Sequence, residues 1–395
     1  MLEYKGEKAY ILVLMSTFRT LLTYVGAVGI VLVIGYLYAT AVDQQIAPLP
    51  EKPAHTATVV VPAHESASGQ SPLQASQIAE SVPTMQDASS DGAAERSDEL
   101  VSRIKDPYPY PHELFSTIQA RAREALVNIF CTTGGNAIQP SSGSGVLIDP
   151  SGVILTNAHV AQYVLLAQSG RVDLSCVVRT GSPARPTWEV EVLYIPPVWI
   201  REHAQDIARE HPTGTGEHDY ALLRATEPIR SNTAGGLATL SVDVRDGIGF
   251  EGDQVLAASY PAEFIGTAAV QTDLYPIASV TTIGELLTFE KRTIDLISIG
   301  GIIGAQSGSS GGPVVNAWGR VIGIITTTSE GATTADRDLR ALTLSYIDRD
   351  LKAQSSLNLA EWLSGNGTQQ ATEFIGRYAP TLTDLLIDAI TNSRL

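Results

Sequence analysis

From about Leu126 to Tyr346 the apolar positions fall in short runs rich in Val, Ile, Thr and Tyr, each ended by Gly, Pro, Asp or Ser, which is the pattern of β-strands. The spacing predicts strands over 126–131, 145–148, 153–156, 171–179, 188–195 and 220–224. A second set follows over 254–258, 268–272, 276–281, 294–299, 312–316, 320–328 and 342–346. Two successive groups of about six strands predict an all-β fold of two six-stranded antiparallel barrels side by side. Helical spacing is confined to about 112–123, to a polar interruption at about 199–210, and to a short helical C-terminal tail in which Leu382, Leu385, Leu386 and Ile390 recur at intervals of three and four. There is no internal repeat.

Upstream the pattern changes twice. Residues 20–42 form a run of 23 positions without a charge, bounded by Arg19 and Asp43. At about 1.5 Å of rise per residue, such a helix spans the ~30 Å hydrocarbon layer of a bilayer. Lys5, Lys8 and Arg19 precede it, whereas Asp43 and Glu51 come before the next cation, Lys52. Positive charge stays inside, so the run predicts a transmembrane signal anchor with a cytoplasmic N-terminus and everything after Val42 outside. A buried core helix is one alternative. A signal peptide cleaved after Ala39-Thr40-Ala41 is another, although its apolar region is typically only about 7–15 residues. Residues 43–106 scatter Pro48, Pro50, Pro53, Pro62, Pro72 and Pro83 among small and polar residues and hold no Phe, Tyr or Trp. That composition cannot offset its ordering entropy and predicts a disordered tether. Pro107, Pro109 and Pro111, alternating with Tyr108 and Tyr110, stiffen its end. The resulting plan is a cytoplasmic segment 1–19, an anchor 20–42, a tether 43–111, a folded domain 112–352 and a helical tail 353–395.

Composition removes several classes of chemistry. With 44% hydrophobic and 17% charged residues the chain has ample material for a core. Its net charge of −16, without a Lys/Arg block, lacks the electrostatic footprint of a nucleic-acid binder. Two cysteines are too few for a Cys-rich metal site, and neither a phosphate-binding G-x-x-x-x-G-K-[ST] nor an H-E-x-x-H pair occurs. No cofactor or metal is expected.

The chemistry that remains centres on Gly308-Ser309-Ser310-Gly311-Gly312-Pro313. Glycines around a serine allow positive φ and let backbone N–H groups turn inward, as an oxyanion site requires. The same segment fits G-x-S-x-G, the nucleophile elbow of α/β-hydrolases, but that arrangement needs a histidine after the serine, and all seven histidines lie at or before His218. His55 and His64 fall in the tether and His112 at its edge. His203 and His211 belong to the polar helix with no further ligands nearby, and His218 abuts a turn and reads as solvated. His159 differs, following the apolar strand in Ile154-Leu155-Thr156-Asn157-Ala158-His159-Val160. Asp219, directly before Tyr220-Ala221-Leu222-Leu223, is either a turn residue or a buried carboxylate that fixes an imidazole. Histidine, aspartate and serine thus stand in that order, each beside a strand.

The segments T-N-A-H-V, D-Y-A-L-L and G-S-S-G-G-P resemble the catalytic motifs of trypsin-like (chymotrypsin-fold) serine peptidases, and more narrowly of the HtrA-type peptidases of bacterial envelopes. S-G-S-G-V-L-I-D-P-S-G-V-I-L and V-V-N-A-W-G-R-V-I-G-I-I extend the similarity from about Leu126 to Leu351. The resemblance implies peptide-bond hydrolysis with His159 as base and acid, Asp219 as its orienter, Ser310 as nucleophile, and the N–H groups of Gly308 and Ser310 as oxyanion donors. It also implies protein or peptide substrates, with homotrimers common among relatives. Membrane association comes from the anchor, which would leave the domain periplasmic or at the cell surface.

The sequence departs from the family at four places. Ser309 stands where the motif usually has Asn, and Ser259-Tyr260-Pro261 replaces a G-N-P-type turn. Extra length at 196–216 suggests a lid or docking surface near the cleft. The 44 residues after Leu351 are fewer than a ~90-residue peptide-binding PDZ domain needs. By the same alignment Gly304 occupies the pocket floor, favouring small or medium apolar side chains, and Thr326 and Thr327 line the wall. Cys131 and Cys176 read by default as two small buried hydrophobes. The family topology makes their strands neighbours and so implies a disulfide.

Overall fold

Strand and helix alternate in two successive halves of the computed structural model, which describes residues 95–96, 101–134, 140–209, 214–229, 236–262, 267–289, 292–301, 307–328, 338–365 and 367–393. The anchor expected at 20–42 lies outside these residues, as does nearly all of the tether up to residue 100. Among the described residues no helix is long and apolar enough to cross a membrane. In chain order the elements begin with β1 (Glu95–Arg96), α1 (Phe115–Ala125), β2 (Leu126–Thr133), β3 (Ser141–Leu147), β4 (Val153–Thr156) and α2 (Ala158–Gln168). Next come β5 (Leu174–Thr180), β6 (Arg185–Tyr194), α3 (Pro197–His203) with a 3-10 turn over Ala204–Ala208, and β7 (Ala221–Pro228). The second half holds β8 (Gln254–Ser259), α4 (Thr267–Thr272), β9 (Ile277–Thr282), β10 (Leu286–Thr288), β11 (Leu296–Ser298), β12 (Pro313–Asn316), β13 (Val321–Thr328) and β14 (Leu339–Thr343). It closes with α5 (Leu344–Ser355), α6 (Leu359–Ser364), α7 (Gly367–Arg377) and α8 (Ala379–Asn392).

The first half is the expected closed barrel, in the order β2-β3-β4-β7-β6-β5. A barrel of this size is filled by its own side chains, and Val146, Ile154, Leu155, Val178, Val192, Leu222 and Leu223 are all buried. It closes where β2 pairs β5 with Cys131 opposite Cys176, and the two sulfurs are bonded. Arg179 on β5 is 1% exposed, donates to Asn128 Oδ1 at 2.7 Å and stacks 4.0 Å above the Phe130 ring.

The second half corrects the sequence reading. It is an eight-stranded antiparallel sheet, β1-β10-β11-β14-β13-β12-β8-β9, rather than a second six-stranded barrel. β10, only three residues long, is too short to show an alternation in sequence. The strand expected at 268–272 is instead the helix α4. Arg179 Nη1 donates to Val270 O at 2.8 Å and Gln271 O at 3.2 Å, and Arg185 to Thr272 O. The first barrel thus supplies the donors that the helix's last carbonyls need. The strand expected at 342–346 stops at Thr343, whose hydroxyl accepts from Tyr346 N–H and caps α5.

Both chain ends of the domain are packed. Ordered structure begins before His112: Arg103 pairs with Asp253 at 2.8 Å, Ile104 N–H donates to Gly247 O at 3.0 Å, and the Tyr108 hydroxyl meets Asp243 while its ring lies 5.4 Å from Trp318. At the other end, Trp362 and Phe374 close on Tyr194 of β6, with ring centroids at 5.3 and 5.9 Å. The helical tail therefore completes the first barrel's outer wall. In the described part of the 196–216 insertion, α3 and its 3-10 turn pack against α8 and α2, with Trp199 and Ile200 buried.

Candidate active site

β4 ends at Thr156, Asn157 takes the extended N-cap position, and His159 follows in the first turn of α2. Val160, Ala161, Val164, Leu165 and Leu166 bury this helix on nearly every side, so the imidazole hangs from a fixed support. Asn157 Nδ2 donates to Asp219 O at 2.7 Å, tying the helix start to the loop before β7. That loop turns sharply: His218 has φ +58°, and Tyr220 N–H closes onto His218 O at 2.9 Å.

The turn presents the Asp219 carboxylate to three donors. Oδ1 accepts from the backbone N–H of His159 at 3.0 Å. Oδ2 lies 2.8 Å from His159 Nδ1 and accepts from Thr326 Oγ1, also at 2.8 Å. A carboxylate can only accept here, so Nδ1 carries the proton and Nε2 is left as an acceptor facing outward. The His159 side chain is 35% exposed and that of Asp219 6%. Burial pushes the His159 pKa down, but the charge and hydrogen bond of Asp219 outweigh it, and the net shift is upward. For Asp219 burial raises the pKa, while the His159 charge, the two His159 hydrogen bonds and Thr326 prevail and lower it.

Ser310 lies in the loop between β11 and β12. Gly308 and Gly311 have φ of +91° and +85°, which only glycine adopts easily. A Cβ on Gly311 would stand 2.1 Å from Ser144 O, and one on Gly312 2.2 Å from Ala258 O. Ala262 N–H donates to Ser307 O at 2.8 Å. A trans peptide sends its C=O and N–H to opposite sides, so this bond turns Gly308 N–H away from Ala262. Ser310 Oγ lies 3.5 Å from Thr326 O and makes no hydrogen bond with His159.

Other expected residues fall differently. Thr326, expected on the pocket wall, is 5% exposed with its hydroxyl on Asp219. On the sequence alone, nothing in Ile324-Ile325-Thr326-Thr327-Thr328 says which threonine faces the carboxylate. Gly304 and the side chain of Thr327 lie outside the described residues. His218 is not solvated but contacts Tyr346, Asp350 and Gln354 on α5. Burial pushes its pKa down, and Asp350, Glu217 and Glu202 bring it above the usual value. Ser309 is buried and accepts from Ser259 Oγ at 3.1 Å, so two of the departures from the family pattern touch each other. Ser144, which sequence reasoning passed over as part of a Gly/Ser run, bonds to Gly308 O and Ser310 O of the serine loop and to Tyr260 N–H. Among the described residues no group of His, Cys, Asp or Glu could hold a metal ion. A polar cleft of about 300 Å³ between Tyr110, Arg121, Trp318 and Arg320 contains none of His159, Asp219 or Ser310.

Residues 143–324 match the family of trypsin-like peptidase domains. The chain carries a trypsin-like peptidase domain. With it comes the activity class, serine-type endopeptidase. The matched span runs from within β3 to within β13 and includes His159, Asp219 and Ser310. No curated protein matches the chain. Among solved structures, Deg5 is 16% identical over 60% of this chain and 90% of its own, with a TM-score of 0.40. A serine endoprotease from Yersinia pestis is 21% identical over 62% of this chain and 68% of its own, with a TM-score of 0.39.

Proposed function

We propose that the peptidase domain hydrolyses envelope proteins outside the cytoplasmic membrane, HtrA-fashion, from an anchor at 20–42, with His159, Asp219 and Ser310 as its catalytic triad. The observation that carries the catalytic part is the 2.8 Å contact between His159 Nδ1 and the buried Asp219 carboxylate, which leaves Nε2 as the base; Thr326 meets both Asp219 and Ser310. Ser310 Oγ attacks the scissile carbonyl carbon while Nε2 takes its proton. The developing oxyanion is received by the N–H groups of Gly308 and Ser310. Collapse expels the amine, to which imidazolium returns the proton, and leaves an acyl-enzyme. Water then attacks by the same steps and frees the acid and Ser310. The run at 20–42, with its cationic N-terminal flank, supports the external placement, and homotrimers fit the family resemblance.

A second reading, a latent peptidase, draws on one observation: Ser310 Oγ faces Thr326 O rather than His159. Serine–histidine contacts in unliganded sites commonly tighten only with substrate bound, which favours the first reading. The test treats the full chain and its Ser310→Ala twin with a fluorophosphonate probe and casein. Labelling and cleavage by the first alone is the expected result. A folded chain whose Ser310 does not label would establish latency. Protease protection in sealed right-side-out vesicles tests the topology: the domain should be digested from outside.

A further inference from the structure

The nucleophile loop is held by its carbonyls. Four consecutive ones have partners: Ser307 O accepts from Ala262 N–H at 2.8 Å, Gly308 O from Ser144 Oγ at 2.7 Å, Ser309 O from Gly312 N–H at 3.0 Å and Ser310 O from Ser144 N–H at 2.8 Å. Each bond fixes one peptide plane. The planes carrying the Gly308 and Ser310 N–H groups alternate with the two planes that Ser144 holds. Ser144 belongs to the first barrel and is fully buried. Its hydroxyl also accepts from Tyr260 N–H at 2.9 Å, and its carbonyl accepts from Thr156 Oγ1 at 2.7 Å.

The glycine makes this control necessary. Gly308 sits at φ +91°, but glycine populates both signs of φ about equally, so nothing in the residue itself holds the value. If the Gly308–Ser309 plane were released, the Ala262 N–H bond to Ser307 O alone would hold the neighbouring plane, and Gly308 could rotate and carry its N–H out of line while Ser310 and His159 stayed in place. We infer that Ser144 is a positioning residue for the oxyanion site: its hydroxyl clamps Gly308 O against Tyr260 N–H and so keeps the Gly308 N–H aimed at the substrate oxygen. This rests on the triad reading above. It is specific to the side chain, because the Ser144 N–H bond to Ser310 O survives any substitution that keeps the strand.

The prediction separates oxyanion stabilisation from proton transfer. In Ser144→Ala the full chain should lose about 100-fold in kcat, the scale for one oxyanion donor. KM should stay within about threefold of wild type, because donors that act in the transition state scarcely affect ground-state binding. The pH midpoint of kcat/KM, which belongs to His159, should not move. Ser144→Cys keeps the shape with a weaker donor and should fall between wild type and alanine. If Ser144→Ala does not fold, Ser144→Cys is read by the same criteria. A kcat within about threefold of wild type, a loss confined to KM, or a displaced pH midpoint would each overturn the inference. An inactive wild type that fails to label with fluorophosphonate would instead overturn the triad reading, and this inference with it.

Discussion

Replacing Asp219 with Asn removes one charge and changes almost no volume, so its consequences can be worked from the three bonds the carboxylate accepts. Oδ1 receives the His159 backbone N–H, and Oδ2 receives His159 Nδ1–H and Thr326 Oγ1–H. An amide offers one acceptor and one donor group. If its oxygen takes the Oδ2 position, its NH2 opposes the His159 backbone N–H. If NH2 takes that position, it meets His159 Nδ1, which must then accept and give up its proton to Nε2. The second arrangement avoids opposing donors once the Thr326 hydroxyl turns to accept the other NH2 proton, but it leaves Nε2 protonated and unable to take the Ser310 proton. Loss of the correct tautomer lowers kcat by about 10⁴, or roughly 5.5 kcal/mol of transition-state stabilisation at ~1.36 kcal/mol per decade. The acid limb should move as well. Asp219 raises the His159 pKa against the opposing effect of burial, so without the carboxylate the ring loses its proton more easily and the limb shifts to lower pH. Peptide hydrolysis by purified wild type and Asp219→Asn across about pH 5–9 reads both effects. A kcat within tenfold of wild type, or a limb that does not move down, would refute the assignment of Asp219.

Gly311→Ala places a methyl 2.1 Å from Ser144 O at φ +85°, so fluorophosphonate labelling should disappear and the melting temperature fall; unchanged labelling would contradict this packing. Ser309→Asn alone should destabilise, because Ser259 Oγ sits 3.1 Å from the Ser309 hydroxyl. Adding Ser259→Gly should recover part of the loss, and urea unfolding of the four proteins should give a coupling of about 1 kcal/mol. Replacing both Cys131 and Cys176 with Ala opens a loop of sequence separation 45. Chain-entropy arithmetic puts the cost at about 4 kcal/mol, read from urea unfolding, where equal midpoints would show the bond adds no stability.

What the sequence made legible were features set by local pattern. The first barrel's strands carry continuous apolar runs or clear turn punctuation, and β4 matches its expected limits, Val153–Thr156, residue for residue. His159 and Asp219 stood out because each adjoins such a strand, and Ser310 because glycines surround it. The second half was less readable because its elements depend on distant partners. Residues 268–272 have strand-like composition, yet two arginines from the first barrel bind the helix end they form. Tyr108 and Tyr110 read as the stiff end of a tether, and only the Trp318 surface, far along the chain, gives them something to pack on. Ser144 was hidden for the same reason: a serine between glycines in sequence becomes a junction only when Gly308 and Tyr260 close around it.

These long-range bonds also make the site more fragile than the fold. His159 and Asp219 stand on the first barrel, while Ser310 and Thr326 stand with the second sheet. Among the bonds that cross between them, those at the site itself are Thr326 to Asp219 and Ser144 to Gly308, Ser310 and Tyr260. Apolar packing is more extensive: Ile154, Leu155 and Leu222 of the first barrel share one core with Leu256, Tyr260, Val315 and Leu342 of the second half, while Val255, Ile297, Val314 and Ile325 form a smaller core of their own. A shift of about 1 Å at the site would break these directional bonds, and with them the His159 tautomer and the Gly308 donor, while the non-directional apolar core stays buried. In a urea titration, fluorophosphonate labelling of Ser310 should be lost at lower urea than tryptophan fluorescence, which reports Trp188, Trp199 and Trp362 around the first barrel and Trp318 on the second sheet. Coincident curves would mean that the halves unfold as one unit and that the crossing bonds are no weaker than the apolar packing around them.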